Sequence, residues 1–359
     1  MSYLATKIRD VSNVVSGGTP DTSNPNYWDG EINWFTPSEI GNSKYVENSK
    51  RRITSLGYKN CGAKLMSPGS ILLSSRATVG DASISKTECC TNQGFQSLTD
   101  FKCCGQYLYY YLQTYRIHKS LIRRASGSTF LEISNYEVGN TDIFIPDLNI
   151  QEKIAIFLSK IDDRIETQNK IIEELKTLKA VISNLIFKAL KCENIIIEKL
   201  CSITTGKLDA NAGNPNGKYR FYTCAEEYSF IDNYSFDCEA ILISGNGANV
   251  GYVHQYSGKF NAYQRTYVLY DFKGISPTYL KYYLEVFLKQ RINAEKNTGN
   301  TPYIRLNTIA KMAIKKPDKT TQEKIVSVLD KISEKLSIEI RKIDLFKKQK
   351  SYFLSNLFI

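Results

Sequence analysis

The sequence predicts a mixed α/β (α+β) chain that is duplicated internally: two similar globular domains, each followed by a long helix, the two helices able to pair with each other. Two observations predict this. Pro146-Asp147 and Gln151-Glu152-Lys153-Ile154 return 171 residues later as Pro317-Asp318 and Gln322-Glu323-Lys324-Ile325. Each copy then opens a run of apolar residues stepping by fours and threes, the 3.5-residue period that keeps one stripe against a partner helix. The first seam is Ile154, Leu158, Ile161, Ile165, Ile172, Leu175 and Ile182; the second is Ile325, Leu329, Ile332, Leu336, Ile343, Phe346 and Phe353. Polar residues interrupt both at matching places, Gln168 and Lys179 in one and Glu339 and Lys350 in the other. The boundaries that follow are a first domain over 1–145, a helix within 146–190, a second domain over 191–316 and a second helix within 317–359.

The repeat reaches upstream of the helices, which makes each globular domain one copy of a single fold. Trp34-Phe35-Thr36 matches Phe221-Tyr222-Thr223, and the first copy then carries about 15 extra residues before the two registers agree. Ile71-Leu72-Leu73-Ser74 matches Ile241-Leu242-Ile243-Ser244; such short apolar runs between Gly, Asn and Ser predict buried strands. Val79-Gly80, Gln93 and Asp100-Phe101 return as Val250-Gly251, Gln264 and Asp271-Phe272. Helical spacing over 107–124 and 277–296 predicts one helix in each copy, stopping at a Gly-centred turn, with Gly127, Thr129 and Asn135 matching Gly299, Thr301 and Asn307. Pro146 and Pro317 are expected to open the long helices, where a missing N–H costs nothing. A helix of about 36 residues spans about 54 Å.

A chain of 359 residues, 42% hydrophobic, supports two ordinary cores. No apolar run approaches the roughly 18 residues that span a bilayer, and the start lacks a signal-peptide core, so a cytoplasmic protein with no membrane partner is expected. Nine cysteines without a close, even framework read as reduced thiols. Cys89-Cys90 and Cys103-Cys104 invite a zinc reading, but neighbours on a strand face opposite ways and the second copy has no cysteines there; no metal is expected. The net charge of +11, most of it after residue 190, points to a polyanionic partner, for which DNA is the commonest candidate.

Catalytic material is missing, and no catalytic residue is assigned. His118 and His254 are too few for a histidine triad or zinc site, and no phosphate-binding Walker loop is present. Gly245-Asn246-Gly247-Ala248-Asn249-Val250 approaches a dinucleotide fingerprint but leads into a strand-like run where a helix would be needed. Asn24-Pro25-Asn26-Tyr27 and Asn214-Pro215-Asn216-Gly217 approximate a methyltransferase motif but lie among turn-forming residues.

Ser16-Gly17-Gly18-Thr19-Pro20 with Trp34-Phe35-Thr36, the Gly127-Ser128-Thr129 turn, the helix starts at Pro146 and Pro317, and the closing Ser183-Asn184-Leu185-Ile186-Phe187 and Ser355-Asn356-Leu357-Phe358 occur in order and largely in duplicate. Together they resemble the DNA-specificity subunit of type I restriction-modification enzymes across essentially the whole chain. The resemblance implies two target-recognition domains, each reading half of a split, asymmetric site in double-stranded DNA. It implies helices that pack as an antiparallel coiled coil with pseudo-twofold symmetry, fix the spacing and dock two methyltransferase subunits, with restriction-translocase subunits joining them. The chain itself would be non-catalytic and bind no cofactor; S-adenosylmethionine, ATP and Mg would sit on those partners. Thr205-Gly206-Lys207 replaces the opening Gly-Gly-Thr-Pro turn in the second domain. Two rival readings are a fused restriction-methyltransferase component and a coiled-coil adaptor without DNA specificity.

Duplication also sorts candidate site residues. Where two domains read different half-sites, shared positions serve the scaffold and differing positions face base edges. Gln93 and Gln264 are therefore expected to be shared structural amides. Arg76 opposite Gly247, Thr78 opposite Asn249, Asn92 opposite Tyr263 and Gly94 opposite Arg265 differ, which nominates Arg76, Thr78, Asn92, Asn246, Asn249, Tyr263 and Arg265 as base readers. Thr19, Arg123, Arg124, Ser128, Lys207, Lys289, Arg291, Lys296, Asn300 and Thr301, at or near the glycine turns, are candidate phosphate contacts.

Overall fold

A computed structural model of the chain describes residues 3–127, 131–295 and 303–358. It divides into two compact units, 1–169 with 342–359, and 170–341, so each unit takes in a globular head together with part of both long helices.

In the first unit, strands Asn13–Ser16, Gln96–Thr99, Ile71–Leu73, Ala82–Ser85 and Tyr45–Val46 make a five-stranded sheet in that order, and Arg51–Ile53, Trp28–Phe35 and Cys89–Thr91 make a three-stranded one. The predicted strand at Ile71–Leu73 is fully buried. The helix expected over 107–124 is two helices, Gly105–Leu112 and Tyr115–Arg124. Thr114 is the reason: its hydroxyl donates to the Tyr111 carbonyl and accepts the Ile117 N–H, ending one helix and capping the next. These helices bury Tyr107, Leu108, Tyr110, Tyr111 and Leu121 against Ile71, Leu73 and Leu98 of the sheet, and against Leu158 and Ile161 of the long helix. Each leucine or isoleucine so buried contributes about 1.5–3 kcal/mol of transfer free energy.

Cys89 and Cys90 show the alternation expected of a strand. Cys89 packs with Phe35, Met66 and Phe95, and Cys90 with Trp28, Trp34 and Ile53. Burial pushes their thiols up to about 11 and about 12. Cys103-Cys104 differs from that picture: the pair precedes a helix, with Cys104 as its N-cap residue.

The second unit has one six-stranded sheet, in the order Ser202–Thr205, Thr266–Tyr270, Phe236–Ser244, Val253–Ala262, Tyr219–Tyr222 and Ser229–Ile231. Strand Val253–Ala262 does alone what two strands do in the first unit. It pairs antiparallel with Phe236–Ser244, and its end pairs parallel with Tyr219–Tyr222, Arg220 opposite Phe260, as Asn33 lies opposite Cys89. The helix predicted from Pro277 is continuous to Ala294, with Ser276 as its cap and Pro277 in its first turn.

The long helices run Leu148–Ala189 and Lys319–Asn356, 42 and 38 residues, hence about 63 and 57 Å and longer than the heptads alone indicate. Aspartate, not proline, opens them. Asp147 accepts the Ile150 N–H at 3.1 Å, and Asp318 accepts that of Thr321 at 2.9 Å. Each proline lies one residue earlier, and its carbonyl accepts the side-chain amide of the repeated glutamine, Gln151 at 2.8 Å and Gln322 at 2.9 Å. The other end of that amide accepts the backbone N–H of Cys104 or Ser276 at the start of a head helix. The Pro-x4-Gln spacing is thus a clamp between head and long helix.

Within the first unit the opening of the first long helix lies beside the end of the second, with the Phe157 and Phe353 rings 4.7 Å apart. Within the second unit its closing turns, through Phe187, share a core with Ile325 and Leu329 at the start of the other. Start against end in each unit is antiparallel pairing. Every residue of both seams is buried or half-buried. The polar interruptions have partners as well. Lys350 reaches Asp162 at 2.8 Å, which also accepts the Tyr110 hydroxyl at 2.6 Å. In the second unit Lys179 reaches Glu285 at 3.0 Å, and the Tyr282 hydroxyl donates to Asp330 at 2.6 Å.

Candidate nucleic-acid interface

In the first unit four segments meet at one end of the five-stranded sheet: the turn after Ile71–Leu73, the loop after Cys89–Thr91, the opening Ser16–Pro20 loop, and the segment around Glu132. Backbone bonds fix them. Ser75 N–H donates to the Gly94 carbonyl at 2.8 Å, Gly18 N–H to Thr91 at 2.9 Å, and Ile133 N–H to Ser75 at 3.0 Å. Gly17 is required by close approach, since a Cβ there would lie 1.9 Å from the Asn92 carbonyl oxygen. Ala77 at the tip of the turn holds φ of +60°, a left-handed conformation that its neighbours must enforce.

The second unit repeats this scaffold. Gly245 N–H donates to Arg265 at 2.9 Å, Ile304 N–H to Gly245 at 2.9 Å, and Tyr263 N–H to Tyr222 at 2.9 Å, as Asn92 N–H does to Phe35 at 3.1 Å. Gly206 keeps the close approach of Gly17, its missing Cβ falling 1.9 Å from the Ala262 carbonyl oxygen. The first loop therefore passes the same place in both units despite its different sequence.

One correspondence changes. Sequence offset sets Arg76 opposite Gly247, whereas the bridges Arg76 to Glu132 and Asn246 to Tyr303 set it opposite Asn246. The extra residue of the second unit falls later, within the Gly247–Val250 turn, where Gly247 has φ of +81°. That turn leads into strand Val253–Ala262, with no helix N-terminus to receive a pyrophosphate. The Asn24 and Asn214 motifs are Asx turns, each side-chain oxygen accepting the N–H two residues on.

The cluster brings together Arg76, Thr78, Asn92 and Thr19 in the first unit, and Asn246, Asn249, Tyr263, Arg265 and Lys207 in the second. Arg76, Thr78, Arg265 and Lys207 are exposed, while Asn92, Asn246, Asn249, Tyr263 and Thr19 are half-buried. The Asn92 side-chain oxygen accepts the Gly94 N–H at 2.9 Å. Gln93 accepts the Thr19 hydroxyl, and Gln264 donates to Asp209 at 2.9 Å; both are exposed amides that hold the opening loop. Among the candidate phosphate contacts, Arg123 and Lys289 are exposed on helix flanks. Arg124 is paired with Glu137 and Asp142, and Arg291 with Glu295, so those two charges are engaged within their own units. Ser128, Lys296, Asn300 and Thr301 lie outside the described residues. Sequence reasoning passed over Glu132 and Tyr303, which flank the cluster. The available signal was that each directly precedes an isoleucine shared by the repeat while differing in type.

Among the described residues, no group of His, Cys, Asp and Glu could hold a metal ion, and no helix is long and apolar enough to cross a membrane.

Arginine, lysine and asparagine side chains are set on loops at the end of a sheet, over one backbone written twice, and the two copies carry different side chains, the arrangement of a duplicated candidate interface. The chain belongs to the family described as the type I restriction modification DNA specificity domain, which matches residues 5–177 and 191–346. It is 27% identical over 394 aligned residues, 98% of this chain and 91% of the relative, to the type I restriction enzyme MjaIX specificity subunit of Methanocaldococcus jannaschii. It is 39% identical over 139 residues, 38% of this chain and 30% of the relative, to the EcoDI specificity subunit of Escherichia coli. The solved S subunit of a type I restriction-modification system from M. genitalium shares the fold, with a TM-score of 0.64 at 15% identity over 100% of this chain and 96% of that one. The role that follows is that of a specificity subunit in a type I restriction-modification system, a DNA-recognition component.

Proposed function

We propose that each unit reads one half of a bipartite, asymmetric DNA site through its sheet-end loops, and that the chain carries out no reaction itself. What supports this is the scaffold shared by the two units: the same backbone bonds hold Arg76 and Asn92 in one and Asn246, Tyr263 and Arg265 in the other, so the side chains vary while their placement does not. Arginine can bond guanine and asparagine adenine through two hydrogen bonds in the major groove. Thr19, Lys207, Arg123 and Lys289 would contact phosphates and set register. The long helices would fix the spacer between half-sites and dock two methyltransferase subunits, which would bring S-adenosylmethionine; restriction subunits would bring ATP and Mg. The assembly would act in the cytoplasm, where the chromosome lies.

The test is substitution one unit at a time in the assembled methyltransferase, followed by sequencing of methylated sites. Arg76→Ala is expected to alter one half of the motif only, and Arg265→Ala the other half only. Either substitution altering both halves, or labelled methyl transfer by the purified chain alone, would overturn the reading.

A further inference from the structure

The assignment of Arg76 as a base reader leaves Glu132 unexplained. A carboxylate on a surface meant for DNA repels phosphates, yet Glu132 sits within it, 41% exposed, its Oε1 lying 2.8 Å from Arg76 Nε. It is held there by its own backbone. Glu132 N–H donates to Ser126, its carbonyl accepts from Ser126 N–H, both at 2.9 Å, and its neighbour Ile133 N–H donates to Ser75. Arg76 and Glu132 also face each other as a bridge pair. The carboxylate is thus carried on a fixed strand-like segment beside the residue it contacts.

The side of the guanidinium that is contacted matters. A guanidinium presents two usable forks, one along Nε and one terminal nitrogen, the other across both terminal nitrogens. Glu132 meets the Nε side. Among the described residues the terminal edge has no hydrogen-bond partner and the carboxylate crowds the Nε side, so the edge left for DNA is the terminal one, which matches the O6 and N7 acceptors of guanine. The ion pair also removes several rotamers from a long side chain before binding, and it offsets the charge that would otherwise draw Arg76 to any phosphate.

Resting on the reading of Arg76 above, we propose that Glu132 is a positioning residue: its ion pair on the Nε side holds the Arg76 guanidinium so that its terminal edge reads one guanine in the half-site of the first unit. The second unit has no such device, since Asn246 and Tyr303 occupy the matching places. Sequence preference at that one position is therefore set by two residues of this chain, only one of which touches the base.

The test uses the full chain assembled with its methyltransferase subunits and a pool of duplexes randomised across the half-sites, selected by binding and sequenced. Arg76→Ala is expected to erase guanine preference at one position. Glu132→Ala is expected to weaken that preference by about tenfold, part of the discrimination a bidentate contact supplies. Glu132→Gln, which keeps the shape but removes the charge of the ion pair, weakens it in the same way, and the Arg76→Ala/Glu132→Ala double variant matches Arg76→Ala alone. Glu132 is a surface residue, and unchanged melting of the variants excludes misfolding as the cause. Tighter binding of Glu132→Ala to all duplexes with unaltered guanine preference would overturn the positioning role, leaving only charge repulsion. An unaltered motif for Arg76→Ala would overturn the underlying reader assignment, and this role with it.

Discussion

The repeated glutamine of the Pro-x4-Gln motif offers the sharpest test of how each head is fixed to its helix. Gln151 is 4% exposed and Gln322 2% exposed, and each satisfies the backbone N–H of a half-buried residue and the carbonyl of a buried proline. Replacing Gln151 by alanine strands both groups, and a buried unpaired donor or acceptor costs about 1–3 kcal/mol. Two groups without full relaxation give a loss of about 2–4 kcal/mol, a large share of the 5–15 kcal/mol that stabilises an ordinary domain. For a unit of this size that is a drop of roughly 4–16 °C in melting temperature. Gln322→Ala is expected to do the same to the second unit. Urea unfolding, with hydrogen exchange at the Cys104 and Ser276 amides, reports both effects separately. A loss below about 0.5 kcal/mol, or unchanged exchange at those two amides, would refute the clamp and leave the motif as a helix-start signal only.

Two further outcomes follow from other parts of the molecule. Burial holds the His254 imidazole below its ordinary range, partly offset by its bond to the Ala225 carbonyl at 3.0 Å. A base with a depressed folded pKa gives stability that is present above its unfolded value of about 6.5 and is lost as pH falls below it. The second unit should therefore weaken more steeply from pH 7 to 5 than His254→Gln protein does, as equal slopes in urea midpoints would deny. Removing one heptad from each long helix takes away about 10 Å, or about three base pairs of DNA; the permitted spacer should shorten accordingly, read from the methylated motif, and continued methylation of the original site alone would refute the spacing role.

Much of the fold was legible because it depends on periodicity and repetition. The seams, the Cys89-Cys90 alternation and the repeated fold of the two heads all follow from spacing that backbone geometry enforces, whereas heptads carry no orientation and the antiparallel sense came from the family resemblance. What was not legible depends on single side chains competing for backbone groups. Thr114 splits a helix that hydropathy reads as continuous, and Asp147 and Asp318 take the caps that proline statistics give to Pro146 and Pro317. The candidate loops were legible as a set, because differing residues on a shared scaffold mark them. Its pairing was not. One inserted residue in the Gly247–Val250 turn moves Arg76 from Gly247 to Asn246, and the contact of Arg76 with Glu132 joins residues distant in sequence that no periodicity connects.

The central claim is that one chain holds two independent half-site readers. Sequencing the methylated bases of a host that carries this chain with its methyltransferase partner tests it most directly. The expected result is a single motif made of two different specified halves around an unspecified spacer, lost when this chain is deleted. A contiguous motif, or methylation that persists without the chain, would contradict it.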